Sequence, residues 1–358
     1  VQDANVNIML MKQENNSPLN ISDLWHQSRL LVSDKFESPP VVLKVDDSII
    51  GTLGNFSAST GKAKSKKTFN VCAIVASTLI NGTVLSYIAD LPEIKRKILY
   101  VDTEQSPFHC QRVLKRILLL AGLSPDSQPE RLEFLSLRRY APNVRLQIIE
   151  EAIYKTEGLG LVIIDGIRDL AYDINSPSEA TNLITKLMQW TDERQIHIHT
   201  VLHLNKGDDN TRGHIGTELN NKAETVLQVT KDEFDKDISS VSSMFIRDID
   251  FEPFAFRINA ESLPEQIDGY QLPQSNKTKG FDYFEVSEAK HKEALENLFS
   301  EACHISYSSL IAKLQTSYKA VGYSFGVSKA KKLKVFLENK RMILKEGKFY
   351  KYNPDFYY

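Results

Sequence analysis

The sequence predicts an α/β protein with a mostly parallel central sheet, followed by a small second domain. Three observations predict it. From Ile49 onward, short β-rich apolar runs alternate with longer stretches of helical period, the pattern of a sheet covered by helices. A Lys-rich loop with phosphate-binding spacing separates the first of these strands from the first helix. Past residue 268, a polar stretch without hydrophobic period precedes a second set of helical patterns.

The 358 residues, 42% hydrophobic and 25% charged, supply core enough for two domains. A net charge of -2 excludes a uniformly basic coat, so any nucleic-acid surface must be a local concentration of Lys and Arg. Cys72, Cys110 and Cys303 show neither metal-ligand spacing nor a disulfide framework, which fits a reducing compartment. No apolar run is long enough to span a bilayer, and Val1–Met11 lacks the basic flank and apolar length of a signal peptide. A cytoplasmic protein without a membrane partner is expected.

Residues 1–45 read as an arm, with a helix at Asp23–Val32 and a break at Ser38-Pro39-Pro40. Residues 46–267 form the predicted core. Its strands are Ile50–Ser57, Lys97–Val101, Leu132–Leu137, Leu159–Ile164, Ile196–Leu202, Thr225–Val229, Ser242–Arg247 and Phe254–Asn259. Helices fall between them at Lys67–Asn81, Pro107–Ala121, Val144–Thr156 and Pro177–Arg194. The middle strands are nearly continuous apolar runs, as burial on both faces requires, and the last three read as antiparallel additions at one end. Residues 268–284 are a linker. In 285–358, helical patterns at Glu288–Cys303, Tyr307–Thr316 and Ser328–Arg341 lead into two short strands around Lys345-Glu346-Gly347-Lys348, the winged-helix order.

The sharpest local signal is Gly61-Lys62-Ala63-Lys64-Ser65-Lys66-Lys67-Thr68, which follows a strand and opens a helix as a P-loop does. Backbone N–H groups of such a loop cradle phosphates, Lys67 reaches the outer ones, and Thr68 binds Mg2+. Lys66 stands where the pattern has its second Gly, so either the loop bends differently or Lys66 bears strain. The plainer reading is a Lys-rich surface turn.

Leu161-Val162-Ile163-Ile164-Asp165 is an apolar strand ending in an acid, placed to hold a carboxylate beside Mg2+; Asp165-Gly166 as a helix cap is the alternative. Ile98–Val101 leads into Asp102-Thr103-Glu104, a second acidic pair at a strand end, where open α/β sheets bind ligands. Asp102 is the better helix-cap candidate and Glu104 the better candidate to deprotonate an attacking water. His197 and His199 alternate along a strand and share a face, yet no Cys or acidic cluster accompanies them as a metal site would need.

These three elements in this order resemble the RecA superfamily, and more closely its RepA-like hexameric helicase branch of plasmids and other mobile elements. Gly54-Asn55-Phe56-Ser57 through Phe69 is similar to the variant P-loop of ATPases on Bacteroidetes-type mobile elements. The resemblance covers about Ile49 to Ile258. It implies ATP and Mg2+ as cofactors and a γ-phosphate-sensing role for His203. Lys206 and Arg212-Gly213 follow, similar to the segment preceding the family's DNA-facing loop, which makes Arg212 a DNA contact. The trans-acting cation of the neighbouring subunit falls on Lys222, a Lys without the planar fork of Arg, with Arg247 as second candidate. Arg212, Lys222 and Arg247 also read as ordinary surface charges.

In a helix-turn-helix module the second helix enters the major groove and needs a basic outer face. Leu333, Phe336 and Leu337 form an inner stripe, with Ser328, Lys329, Lys331, Lys332 and Lys334 expected outward and Lys345 and Lys348 on the wing. Lys rather than Arg favours phosphate contact over base reading; a protein-docking domain is the alternative. The functional expectation is an Mg-ATP-hydrolysing motor on DNA, a homo-oligomer with a hexameric ring as one form. An ATP-switched initiator, loader or mobilisation accessory without helicase activity is the second reading.

Overall fold

The computed structural model describes residues 20–204, 213–232, 235–270 and 281–356. Two compact units divide the chain, residues 1–272 and 273–358. In chain order the first contains α1 (Ile21–Gln27), β1 (Val41–Val45), β2 (Ser48–Thr52), β3 (Phe56–Gly61), α2 (Lys67–Ile80), β4 (Thr83–Val84), β5 (Tyr87–Ala89), β6 (Lys97–Asp102) and α3 (Pro107–Leu120). There follow β7 (Leu132–Ser136), α4 (Pro142–Lys155), β8 (Leu159–Asp165), α5 (Pro177–Arg194), β9 (His197–His203), α6 (Gly213–Lys222), β10 (Thr225–Lys231), β11 (Ile238–Ile246), β12 (Phe254–Ile258) and β13 (Pro264–Ile267).

The expected fold class is the one found: a nine-stranded sheet of order β13-β12-β11-β10-β3-β9-β8-β6-β7, with helices on both faces. Strands β7, β6, β8, β9, β3 and β10 are mutually parallel. Alternation along β6 and β8 explains their unbroken apolar runs. Ile98, Tyr100, Leu161 and Ile163 pack with Val71, Val75, Val113 and Ile117 of α2 and α3. Leu99, Val101, Val162 and Ile164 face the other way, onto Ile149, Leu183, Leu187 and Trp190 of α4 and α5.

Four sequence expectations are corrected. Thr225–Lys231 is parallel to β3, so antiparallel pairing begins only at β11; an apolar run does not record the direction of its partner. The single strand expected over Ile50–Ser57 is two, because Gly54 turns the chain with φ 83° between β2 and β3. Val41–Val45, read as part of the arm, is a strand in a separate four-stranded sheet of order β2-β1-β5-β4. Helix α1 ends at Gln27, short of Val32, and buries none of its residues.

The second unit contains α7 (Glu288–Phe299), β14 (Ile305–Ser306), α8 (Tyr307–Ala320), α9 (Val327–Asn339), β15 (Ile343–Glu346) and β16 (Phe349–Tyr352), with a small antiparallel sheet of order β14-β16-β15. Leu295, Leu298, Leu310, Leu314, Leu333, Leu337 and Ile343 form its core. No helix among the described residues is long and apolar enough to cross a membrane.

His197 and His199 are structural. The register Ser57↔His199 puts both rings beside the hydroxyls of β3. His197 Nε2 and His199 Nδ1 each lie 2.7 Å from Ser57 Oγ, and His199 Nε2 lies 2.9 Å from Ser59 Oγ. Asn70 of α2 donates to Ser59 Oγ at 3.4 Å and accepts from Tyr87 Oη at 2.8 Å, so the ladder ties the P-loop strand to the helix after it and to β5. Burial lowers His197 to about 4 and His199 to about 3, keeping both rings neutral. The unfolded chain binds protons below its ordinary histidine value of about 6.5. The ladder's contribution is therefore complete above about pH 6.5 and lost progressively as pH falls toward the folded values. Urea unfolding of the chain should show stability falling by on the order of 1 kcal/mol per pH unit per histidine between pH 6.5 and 5, before most carboxylates titrate.

Candidate nucleotide site

The C-terminal ends of neighbouring parallel strands meet at one edge of the large sheet. Gly61 of β3 pairs with His203 of β9, and Asp102 of β6 pairs with Asp165 of β8. Loops leaving these ends enclose a cleft of about 460 Å3 lined by Lys64, Ser65, Lys66, Lys67, Thr68, Glu104, Asp165 and His203. Residues separated by more than a hundred positions thus share one cleft.

Gly61 is required by contact: a Cβ there would lie 2.3 Å from Val229 O and 2.5 Å from Ser65 Oγ. Lys66 adopts φ 67°, ψ 29°, the left-handed conformation that glycine supplies in this motif. The loop therefore bends as the pattern requires, and Lys66 carries a strain of about 1 kcal/mol. Its ammonium lies 3.8 Å from Asp237, and burial lowers its pKa.

Lys67 is 5% exposed and donates to Gly61 O at 2.9 Å and Lys62 O at 3.0 Å, with His203 Nδ1 also at 3.0 Å. Burial pulls its pKa down to about 8, against the opposing pull of Asp165 and Glu104. Thr68 Oγ1 and Tyr100 Oη both donate to Asp165 Oδ2, at 3.2 and 2.9 Å. Burial, reinforced by Asp102, pushes Asp165 up to about 7.

The two acids after β6 have different jobs. Asp102 accepts from the backbone N–H of Glu104 at 2.9 Å, from that of Gln105 at 2.7 Å, and from Gln105 Nε2 at 2.7 Å. With its lone pairs so used, it braces the turn. Glu104 lines the cleft with its Oε1 3.8 Å from His203 Nε2, and pairing with His203 holds it below the ordinary carboxylate range. Gly166 makes room for this turn: a Cβ there would lie 2.2 Å from Thr103 Oγ1 and 2.9 Å from Glu104 Cγ.

The residues fit a magnesium nucleotide. Ser65 Oγ is buried without a hydrogen-bond partner, a donor that a phosphate oxygen would satisfy. A hydroxyl at Thr68 beside the carboxylate of Asp165 is the hard oxygen set that Mg2+ prefers.

Residues 18–209 match the AAA domain family. The chain belongs to that family. Solved structures similar to it include the RadB recombinase, with 15% identity over 59% of this chain and 90% of that one at a TM-score of 0.41. A KaiC-like protein from Pyrococcus horikoshii OT3 is similar at 12% identity over 60% and 90%, with a TM-score of 0.44. No curated protein matches the sequence significantly. With its P-loop at the head of a parallel sheet, the AAA domain is an ATPase core.

Other expected residues lie elsewhere. Lys62 and Ala63 line an adjoining cleft with Glu104 and His203. Lys222 pairs with Glu218 at 3.0 Å, and its carbonyl accepts from Arg247 Nη2 at 2.9 Å; neither cation lines the nucleotide cleft of its own AAA domain. Lys206 and Arg212 lie outside the described residues. His197 and His199 belong to the core, and among the described residues no group of three or more His, Cys, Asp or Glu side chains is placed to hold a metal ion.

In the second unit Ser328, Lys329, Lys331, Lys332, Lys345 and Lys348 are exposed. Lys329 Nζ also donates to Phe281 O. Lys334, expected outward, is corrected: it is 13% exposed, pairs with Glu338, and lies 4.9 Å from the Tyr350 ring centre. The i,i+4 acid and the rings of Tyr307 and Tyr350 draw it in. Tyr350 of β16 is buried in the core.

Sequence reasoning missed Tyr100, and it missed Gln105 of the turn and His109, Arg112 and Arg116 of α3, which line the cleft. Their spacing of three or four after an acid-bearing strand end was the available signal. Tyr100 gave none, because it looked like any buried strand residue. Replacing Lys66 with Gly should raise unfolding free energy by about 1 kcal/mol and preserve Mg-ATP binding, as checked by urea melts and nucleotide titration.

Proposed function

We propose that this ATPase hydrolyses Mg-ATP in a DNA-bound oligomer, as a RepA-like replicative helicase or a related replication or mobilisation protein of a mobile genetic element. The observation that carries the nucleotide chemistry is the convergence of Lys67, Thr68, Asp165, Glu104 and His203 on one cleft. Lys67 meets the outer phosphates, exchanging its carbonyl partners for phosphate oxygens. Thr68 and Asp165 hold Mg2+, which supplies charge neutralisation at the phosphates when bound. Glu104, ionised and oriented by His203, accepts the proton of the attacking water. His203, placed between Lys67 and Glu104, is the group that can report γ-phosphate to both.

Oligomerisation is part of the reading, with Lys222 and Arg247 assigned to a neighbour's site; that they stand next to each other and do not line their own cleft supports this. DNA contact is assigned to the second unit, read as a winged helix from its helix order and terminal hairpin. Exposed Lys331 and Lys332 on α9 and Lys345 and Lys348 on the hairpin suit phosphate contact. The strained Lys66 favours the second reading, an ATP-switched DNA-binding initiator or loader with little turnover.

Lys67→Ala should abolish Mg-ATP binding. Glu104→Gln should keep binding and lower turnover about 100-fold. Turnover insensitive to single-stranded DNA, with no strand displacement, would move the assignment to the switch. Replacing Lys331, Lys332, Lys345 and Lys348 with Ala should weaken DNA binding and reduce the slope of log K against log salt by about 0.9 for each DNA phosphate left unneutralised.

A further inference from the structure

We infer that a second anion site adjoins the nucleotide cleft and takes inorganic phosphate, the anion that ATP hydrolysis releases at that end. This rests on the ATPase reading above. A cleft of about 700 Å3 is lined by Lys62, Arg138, Arg145, Arg168, Asp169 and, shared with the nucleotide cleft, Glu104 and His203. Four permanent cations face two carboxylates.

The cluster is held by a fixed scaffold. Arg145 donates to Leu137 O at 3.2 Å, to Arg138 O at 2.8 Å and to Asp169 O at 2.8 Å, clipping the loop after β7 to the turn after β8. Arg145 also forms an ion pair with Asp169 at 4.0 Å, so the positive charge left over in the cleft lies mainly on Arg138 and Arg168. Arg138 and Arg168 are exposed and make no hydrogen bond or ion pair to another described residue through their side chains. Arg168 is close enough to Glu104 to help hold that carboxylate ionised.

Such a cluster suits a compact dianion, because guanidinium forks bind phosphate oxygens in pairs. Its position supplies the source. Glu104 and His203 form the boundary between the two clefts, and a phosphate freed beside them meets Arg138 and Arg168 on the other side. A nucleic-acid strand is the other phosphate source. Strand binding without sequence preference uses aromatic stacking surfaces. The exposed rings of the same loops, Tyr140 and Tyr172, do not line the cleft.

Calorimetric titration of inorganic phosphate into the full chain saturated with Mg-ADP tests the site. Wild type should bind phosphate, Arg138→Ala and Arg168→Ala should each weaken it roughly tenfold, and Arg168→Lys should restore part of the loss. Mg-ADP affinity should stay unchanged in all three. Both residues are exposed, so the variants should fold, and unaltered thermal melts would confirm it. Equal phosphate affinity in wild type and both variants would overturn the site. So would loss of single-stranded oligonucleotide binding with phosphate binding intact, which would make the cleft a nucleic-acid surface. A chain that binds no Mg-ADP counts against the ATPase reading instead; phosphate titrated into the nucleotide-free chain and the same variants then decides the anion site.

Discussion

In-register parallel pairing of β3, β9, β8 and β6 is the constraint on which the site depends. Each strand delivers its C-terminal end to the same edge, so Gly61, His203, Asp165 and Asp102 arrive together whatever their separation along the chain. Register matters as much as order. A slip of one residue in β8 would turn Asp165 from the side of α2, where Thr68 meets it, to the side of α4 and α5. Burial of both sheet faces prevents that slip, since it would exchange the side chains of two separate cores.

The same burial sets the chemistry. Lys67 and Asp165 are both removed from water, and each is shifted toward its neutral form. Their charged forms persist through close polar partners: loop carbonyls for Lys67, and the hydroxyls of Thr68 and Tyr100 for Asp165. A magnesium nucleotide offers better partners to both at once. The site is thereby preorganised for a ligand with negative phosphates and a bound cation. The left-handed Lys66 fits the same logic, because the loop conformation is imposed by Gly61 against β10 and by the start of α2 rather than chosen by the residue at 66.

Polar groups inside the first unit do structural work too. The ladder from Tyr87 through Asn70, Ser59, His199 and Ser57 to His197 runs behind the P-loop strand. It fixes β3 against α2 and β9 with directional bonds where apolar contacts alone would permit sliding. The turn that presents Glu104 is fixed in a similar way, by Asp102 from within and Gly166 from the facing strand.

The sequence by itself determined the fold class, the position of the phosphate loop, the two acid-bearing strand ends and the helical order of the C-terminal region, because each is written in local spacing and hydrophobic period. It favoured Glu104 over Asp102 as the acid facing the cleft, but left open whether Lys66 would bend the loop. Tertiary structure decided both: three N–H donors hold Asp102 in the turn, and the packing of Gly61 holds the loop in shape. Only the folded chain revealed the parallel pairing of β10, the inward turn of Lys334 and the convergence of Arg138, Arg145 and Arg168 beside the site. Those depend on partners distant in sequence or on side-chain direction, and neither leaves a periodic trace in the amino-acid order.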